Sequence, residues 1–379
     1  MAFRKPRTYL DHAAAAPASN AALRAFTRAH ATSGNPSSPH AEGRAARDLL
    51  EDARLRIARL AGTKQDAVIF TSGATEANVL GIVGHIRALT DAGRKDLHAL
   101  YHPGAHASVI GAMQQIEALG VEIEPMELAS LEAQIRPGTV LVAIDLVCGE
   151  TGTIYKTRDV RRVLDRTGSR ITLFVDASQA PRVESFELQH LGADMVSLDA
   201  QKVGGVRGIG ALIAPRSIPI APLIQGGGQE RGLRPGTESP ALARAFATAL
   251  EECAHDRSAF TDRARRLRHA LLERISGINT IEVNKGESQA PHILNLSLLG
   301  RDTDYLVALL DEAGFAVSTR SACETDEEGS RAVLSMTGDA ARATSTLRIS
   351  WGPSTKESEL RRFSDALITA VRFMDGNTI

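Results

Sequence analysis

Short apolar runs alternate with helical patterns through the first two thirds of the chain, and no other feature restricts its fold as strongly. Apolar runs bounded by turn residues occur at 67–71, 97–101, 140–146, 171–175, 195–198 and 209–213. Amphipathic stretches at 75–89, 107–119 and 157–167 lie between them. Strands that are apolar on both faces need cover on both faces, and crossover helices supply it. The pattern therefore predicts an α/β fold, a mainly parallel sheet with helices on each side. A charge-rich helical pattern follows over 239–275, open to a bend near His255, and reads as a connection out of the large domain. The last third changes to strands at 292–298, 315–318 and 346–351 with helices at 304–313 and 356–374. It is expected to form a smaller α+β unit completed by the N-terminal residues. The expected division is a large domain over 17–255 and a small one made of 1–16 and 256–379.

With 379 residues, 43% of them hydrophobic, the chain can bury the core of two or three such units. A formal net charge of −1 removes any general electrostatic case for nucleic-acid or membrane binding. Cys148, Cys253 and Cys323 lie far apart without a paired motif, which argues against a disulfide framework or a zinc site. The basic N-terminus has no apolar stretch like that of a signal peptide, and no apolar segment is long enough to span a bilayer. A reducing, cytoplasmic setting is the expectation.

Two ionisable residues stand at strand ends. Lys202, in Met-Val-Ser-Leu-Asp-Ala-Gln-Lys-Val-Gly-Gly, closes an apolar run just before a glycine pair. Burial there favours a neutral amine, which can form an imine with an aldehyde cofactor. Asp176, in Phe-Val-Asp-Ala-Ser-Gln, ends another run one strand upstream. That pair suits pyridoxal 5'-phosphate, because the acid keeps the pyridine nitrogen protonated as an electron sink. Each residue alone reads more simply, as a snorkelling lysine and a turn aspartate.

Other segments add weaker signals. Phe-Thr-Ser-Gly-Ala-Thr-Glu-Ala-Asn (70–78) is a strand, a small-residue turn and a helix start, able to cradle a phosphate or simply to cap the helix through Ser72 or Thr75. The loop 225–237 carries five glycines with Arg231 and Arg234 and ends at Thr237, which suits an anionic ligand or a neighbouring subunit. His106 follows the 97–101 run, on the edge where ligands bind in open α/β sheets, with His102 as its competitor. Cys323 sits among polar and acidic residues on an expected exposed loop, where neighbouring acids raise a thiol's pKa and Arg320 partly opposes them. Arg348 alternates with apolar neighbours and could clamp a carboxylate or form a structural salt bridge.

Together these segments resemble the cysteine desulfurases, pyridoxal-phosphate enzymes of the class V aminotransferase group with the type I fold. The resemblance is carried by Tyr-Leu-Asp-His-Ala-Ala-Ala-Ala-Pro (9–17), Gly-Asn-Pro-Ser-Ser (34–38), Thr-Ser-Gly-Ala-Thr-Glu (71–76) and Val-Asp-Ala-Ser-Gln (175–179). Lys-Val-Gly-Gly-Val-Arg-Gly-Ile-Gly (202–210), the triple-glycine loop, Ser-Ala-Cys (321–323) and Leu-Arg-Ile-Ser-Trp-Gly (347–352) complete it. It implies a seven-stranded, mainly parallel sheet. It also implies that Lys202 would hold the cofactor covalently, Asp176 would pair with the pyridine nitrogen and Gln179 would contact the phenolic oxygen side. His106 would stack on the ring and handle protons. Ala74 and Thr75 would bind the phosphate, joined by Thr237 from the partner subunit of a homodimer. Asn35 and Arg348 would bind the carboxylate of L-cysteine. Cys323 would take the sulfur as a persulfide, release alanine and pass the sulfur to an iron–sulfur scaffold or a thiolation enzyme.

Three positions depart from that pattern. Gln201 stands where relatives usually have histidine, and Asp199 where they have a serine or threonine that contacts the phosphate. Cys148-Gly149 replaces two adjacent asparagines, while Glu150 and Gly152 remain. A carboxylate facing a phosphate is repulsive, so Asp199 must point away, be protonated or be offset by a cation. Weaker or atypical cofactor binding is expected. The alternatives are a transaminase or lyase acting on another small amino acid, and an impaired relative that works as a binding subunit.

Overall fold

The run Thr-Val-Leu-Val-Ala-Ile-Asp at 139–145 is buried at every position, as a strand covered on both faces must be. The structure, a computed structural model, describes residues 7–168, 170–278, 281–319 and 329–376. Its strands are β1 (Thr8–Tyr9), β2 (Val68–Thr71), β3 (His98–Tyr101), β4 (Glu122–Pro125), β5 (Thr139–Asp145), β6 (Thr172–Asp176), β7 (Met195–Asp199) and β8 (Gly210–Ile213), followed by β9 (Ile281–Asn284), β10 (Ile293–Leu298), β11 (Phe315–Ala316) and β12 (Thr346–Ser350). Two compact units result. One comprises Pro17–Val147 and Tyr155–Arg257; the other comprises the stretch up to Ala16, Cys148–Ile154 and the stretch from Ser258 onward.

The larger unit holds a seven-stranded sheet in the order β2-β8-β7-β6-β5-β3-β4. Neighbours from β7 through β4 pair in parallel, and β8 alone runs against both β2 and β7. The helix Ala74–Asp91 packs on this sheet with Leu80, Val83 and Ile86 buried, in one core with Met113, Leu141 and Phe174. Gly81 lets it come close, since a Cβ there would lie 2.5 Å from the Phe174 ring. β4 lies outside the apolar runs of the sequence because it is an edge strand, Glu-Ile-Glu-Pro, with both glutamates facing solvent at least in part.

In the smaller unit β12, β10 and β9 form an antiparallel sheet, and β1 pairs in parallel with β11. The backbone of Leu10 bonds to both Ala316 and Ser350, so the N-terminal residues are built into this unit. Its core gathers Leu294, Leu347, Ile349, Trp351, Phe363 and Leu367. The segment Cys148–Ile154, inside the larger domain on the sequence reading, belongs here: Ile154 N–H donates to Ser288 O at 3.0 Å and Asn295 Nδ2 to Glu150 O at 3.3 Å. The helix Pro240–Ile275 runs through His255 as one element, as the nearly unbroken helical pattern there allows.

Alanine favours a helix over glycine by about 1 kcal/mol, yet Gly81→Ala should destabilise the protein by about 1–3 kcal/mol, because its methyl meets a fully buried ring. The chemical-denaturation midpoint reads this, and adding Phe174→Leu should recover part of the loss.

Candidate active site

Three neighbouring parallel strands, β5, β6 and β7, each end in a buried aspartate: Asp145, Asp176 and Asp199 are only 4%, 6% and 7% exposed. Asp145 and Asp176 are direct register partners. Three carboxylates on one sheet edge repel unless each has its own donors, and each does. Asp145 accepts the His106 N–H at 3.1 Å. Asp176 accepts the Ser178 N–H at 2.9 Å and the Asn78 amide at 2.8 Å. Asp199 accepts the Gln201 N–H at 2.9 Å and the Ala74 N–H at 3.0 Å.

Asp176 and His106 are joined by a chain of hydrogen bonds. Asn78, in the helix Ala74–Asp91, donates from the same amide nitrogen to Asp176 and to Ser108 Oγ, the latter at 2.8 Å. Ser108 Oγ lies 2.7 Å from His106 Nδ1, and the Ser108 N–H also donates to that nitrogen at 3.2 Å. Nδ1 is thus an acceptor, which puts the proton of the neutral imidazole on Nε2. His106 also caps the helix Ala107–Glu117. Among the described residues, Asn78 Oδ1 and Ser178 Oγ are buried without a hydrogen-bond partner. Two orphaned polar atoms beside a buried carboxylate mark a surface built for a polar ligand. The competing His102 is structural: it packs on Tyr155 with ring centroids 4.4 Å apart, its Nδ1 accepts the Gly104 N–H, and burial lowers its pKa to about 4.

Lys202 is half-buried and ends the single turn Ala200–Lys202 that follows β7. Beyond β2, neither Ser72 nor Thr75 caps the next helix. Its N-cap is Gly73, and the carboxylate that reaches the Ala74 N–H comes from the sheet, at Asp199. The three ways for Asp199 to avoid a phosphate are thereby narrowed: its carboxylate points at the helix terminus rather than away. Gly210 permits the tight approach of β8 to this turn, because a Cβ there would lie 2.5 Å from the Gly73 carbonyl carbon. Thr75 is exposed, and Glu76 closes the turn by accepting the Ser72 N–H at 2.6 Å.

The glycine-rich loop is pinned rather than loose. Glu230 and Arg231 both have left-handed backbones, with φ of 48° and 64°. A buried ion pair holds them there: Arg54 donates both terminal nitrogens to Glu230 at 2.7 Å, and the Phe70 N–H adds a third bond at 2.8 Å. Burial opposes the charge on Arg54, but Glu230 outweighs it and the guanidinium pKa is raised. The arginines expected to meet an anion are engaged by the protein itself. Arg231 donates to Asp66 O and Ala214 O, and Arg234 pairs with Glu76 at 3.0 Å. Thr237 is exposed at the end of this loop, and Gln179 is half-buried just beyond Asp176.

Asn35 is exposed in the larger unit, where its Oδ1 accepts the Ser37 N–H at 2.9 Å. Arg348 belongs to the smaller unit and has the salt bridge that was one of its two readings, to Asp11 at 2.8 Å, with a further bond to Gly149 O. Its Nε is buried and, among the described residues, has no partner. Cys323 lies outside the described residues. Cys148 and Cys253 are buried thiols, and burial raises the pKa of Cys253. Asn78, Ser108, Asp145, Arg54 and Glu230 escaped the reading of the sequence. The signal available for one of them was the repeated strand-end acid in Ala-Ile-Asp, Phe-Val-Asp and Ser-Leu-Asp.

Residues 8–363 match the family described as Aminotransferase class-V. The chain belongs to the class-V aminotransferases. That family depends on pyridoxal phosphate. This class-V aminotransferase is 33% identical to "Cysteine desulfurase IscS 1" of Archaeoglobus fulgidus over 301 residues, 77% of each chain. It is 32% identical to "Cysteine desulfurase IscS" of Vibrio cholerae serotype O1 over 93% of its own length and 89% of the relative's. Its fold matches a solved "NIFS-LIKE PROTEIN" with a TM-score of 0.90 at 27% identity, covering 97% of this chain and all of the other.

Removing one partner of the buried pair, as in Glu230→Gln, should cost about 3–5 kcal/mol in denaturant melts, and Arg54→Met with Glu230→Leu should cost less than the two single losses combined. The pH dependence of His102 has a definite sign. Its folded pKa lies below its ordinary 6.5, so its contribution is complete above pH 6.5 and is lost as pH falls toward about 4. His102→Asn should therefore flatten the fall in stability between neutral pH and pH ~5, by up to about 2 kcal/mol in melts at the two values.

Proposed function

We propose that this protein is a cysteine desulfurase that uses pyridoxal phosphate to convert L-cysteine to L-alanine and leaves the sulfur on Cys323 as a persulfide. The observation that carries the reading is the hydrogen-bond chain from Asp176 through Asn78 and Ser108 to His106, with unsatisfied polar atoms beside it and Lys202 one strand away. Those residues fit the ring of the cofactor: a buried acid for its nitrogen, an imidazole at the strand edge and an amine for its aldehyde. When bound, that ring supplies an electron sink for bonds at the substrate's α-carbon.

The chain's own residues would do the rest. Asp176 is kept in place by the neutral donors Ser178 and Asn78, which suits a carboxylate that would hold a protonated ring nitrogen. His106 offers the proton on Nε2 while Ser108 fixes its orientation. Gln179 would face the phenolic side, and Ala74 and Thr75 the phosphate, with Thr237 entering from the partner in a homodimer. Asn35 and Arg348 would orient the substrate carboxylate, Arg348 through the guanidinium that Asp11 steadies. The two described cysteines are buried, which supports leaving the nucleophile's role to Cys323. The sulfur would pass to an acceptor protein, an iron–sulfur scaffold or an RNA or DNA thiolation enzyme. No described helix is long and apolar enough to cross a membrane, and cytoplasmic placement is part of the proposal.

Incubation with L-cysteine and pyridoxal phosphate should yield alanine and a one-sulfur mass gain on the Cys323 peptide. Cys323→Ala should abolish sulfur release yet retain the borohydride-sensitive visible absorbance, and Lys202→Ala should lose that absorbance. A transaminase would be indifferent to Cys323→Ala, and a colourless protein that forms no alanine would end the desulfurase reading.

A further inference from the structure

The N-terminus of the helix Ala74–Asp91 already has an anion of its own. Asp199 Oδ2 accepts the Ala74 N–H at 3.0 Å, its other oxygen accepts the Gln201 N–H, and the residue is 7% exposed. A Cβ on Gly73 would lie only 3.3 Å from the same carboxylate, so the acid is seated against the turn. Backbone N–H groups at a helix start favour one negative group, and a second at hydrogen-bond distance meets both repulsion and a lost donor. The arginine bonded to this turn is already matched. Arg234 is matched by Glu76, and Glu76 itself takes the Ser72 N–H.

We infer that Asp199 is a specificity-determining residue that competes with the cofactor's phosphate for the Ala74 N–H. The site consequently takes the phosphorylated aldehyde weakly and discriminates little between it and unphosphorylated pyridoxal. The inference rests on the pyridoxal-phosphate reading above and adds to it which end of the cofactor this chain binds poorly. A neutral side chain at position 199 removes the competitor, and only a ligand that carries phosphate gains from the change.

The test is an equilibrium titration of cofactor-stripped protein with pyridoxal phosphate and, separately, with pyridoxal, read by the visible absorbance of the bound aldehyde. It compares the natural protein with Asp199→Ser and with Asp199→Asn, which removes the charge at nearly the same volume and leaves a single acceptor for the Gln201 N–H if the smaller residue unsettles the turn. Both variants should bind pyridoxal phosphate at least about tenfold more tightly, leave pyridoxal affinity within about threefold, and be inhibited more strongly by inorganic phosphate. Unchanged or weaker binding of pyridoxal phosphate in both folded variants overturns the role of Asp199 while leaving the cofactor reading intact. Absence of any bound-aldehyde absorbance in all three proteins overturns the cofactor reading and this inference together.

Discussion

Parallel pairing brings the ends of β5, β6 and β7 to a common edge, and there the chain sets three acids side by side. Their charges would push the strand ends apart if left unsatisfied. Each is instead tied to a different backbone or amide donor, from the loop before a helix, from a helix side chain or from a helix terminus. The sheet edge, the start of the helix Ala74–Asp91 and the turn at His106 are thereby held by the same bonds that shape the site. Polar satisfaction and the geometry of the candidate site are one problem here, solved once.

The acids divide the work. Asp176 accepts from neutral donors and has unpartnered polar atoms beside it, which suits the proposed pairing with a positively charged ring atom. Asp145 is committed to orienting the backbone at His106. Asp199 lies on the strand two away from that of Asp145 and occupies the N–H at the start of the helix Ala74–Asp91. The family shared with named cysteine desulfurases points to the chemistry, and this third acid is bonded to the helix terminus beside it.

Much of the large sheet was legible because strands covered on both faces appear as unbroken apolar runs, as 139–145 does. β4 was not, because an edge strand with exposed glutamates has the composition of a loop. The strand-end positions of Lys202, Asp176 and His106 were legible because an apolar run closed by an ionisable residue marks where a strand stops. Asn78 and Ser108 were hidden, since polar residues in the first turns of helices usually face water and only the fold shows that these two turn inward. Arg231 and Arg234 misled for a related reason: a sequence displays charge but not the carbonyls and carboxylates that will consume it. The direction of Asp199 was equally unreadable, because its partner at Ala74 is 125 positions away along the chain.

The ion pair between Arg54 and Glu230 also bears on how this protein can change over generations. Its members are far apart in the chain, and neither tolerates loss while the other remains. Lysine cannot replace the arginine, because the planar fork fills both carboxylate oxygens and also reaches Val68 O. Drift at these two positions should therefore be concerted, and a lineage that abandons the pair must also redesign the loop whose left-handed backbone it sustains.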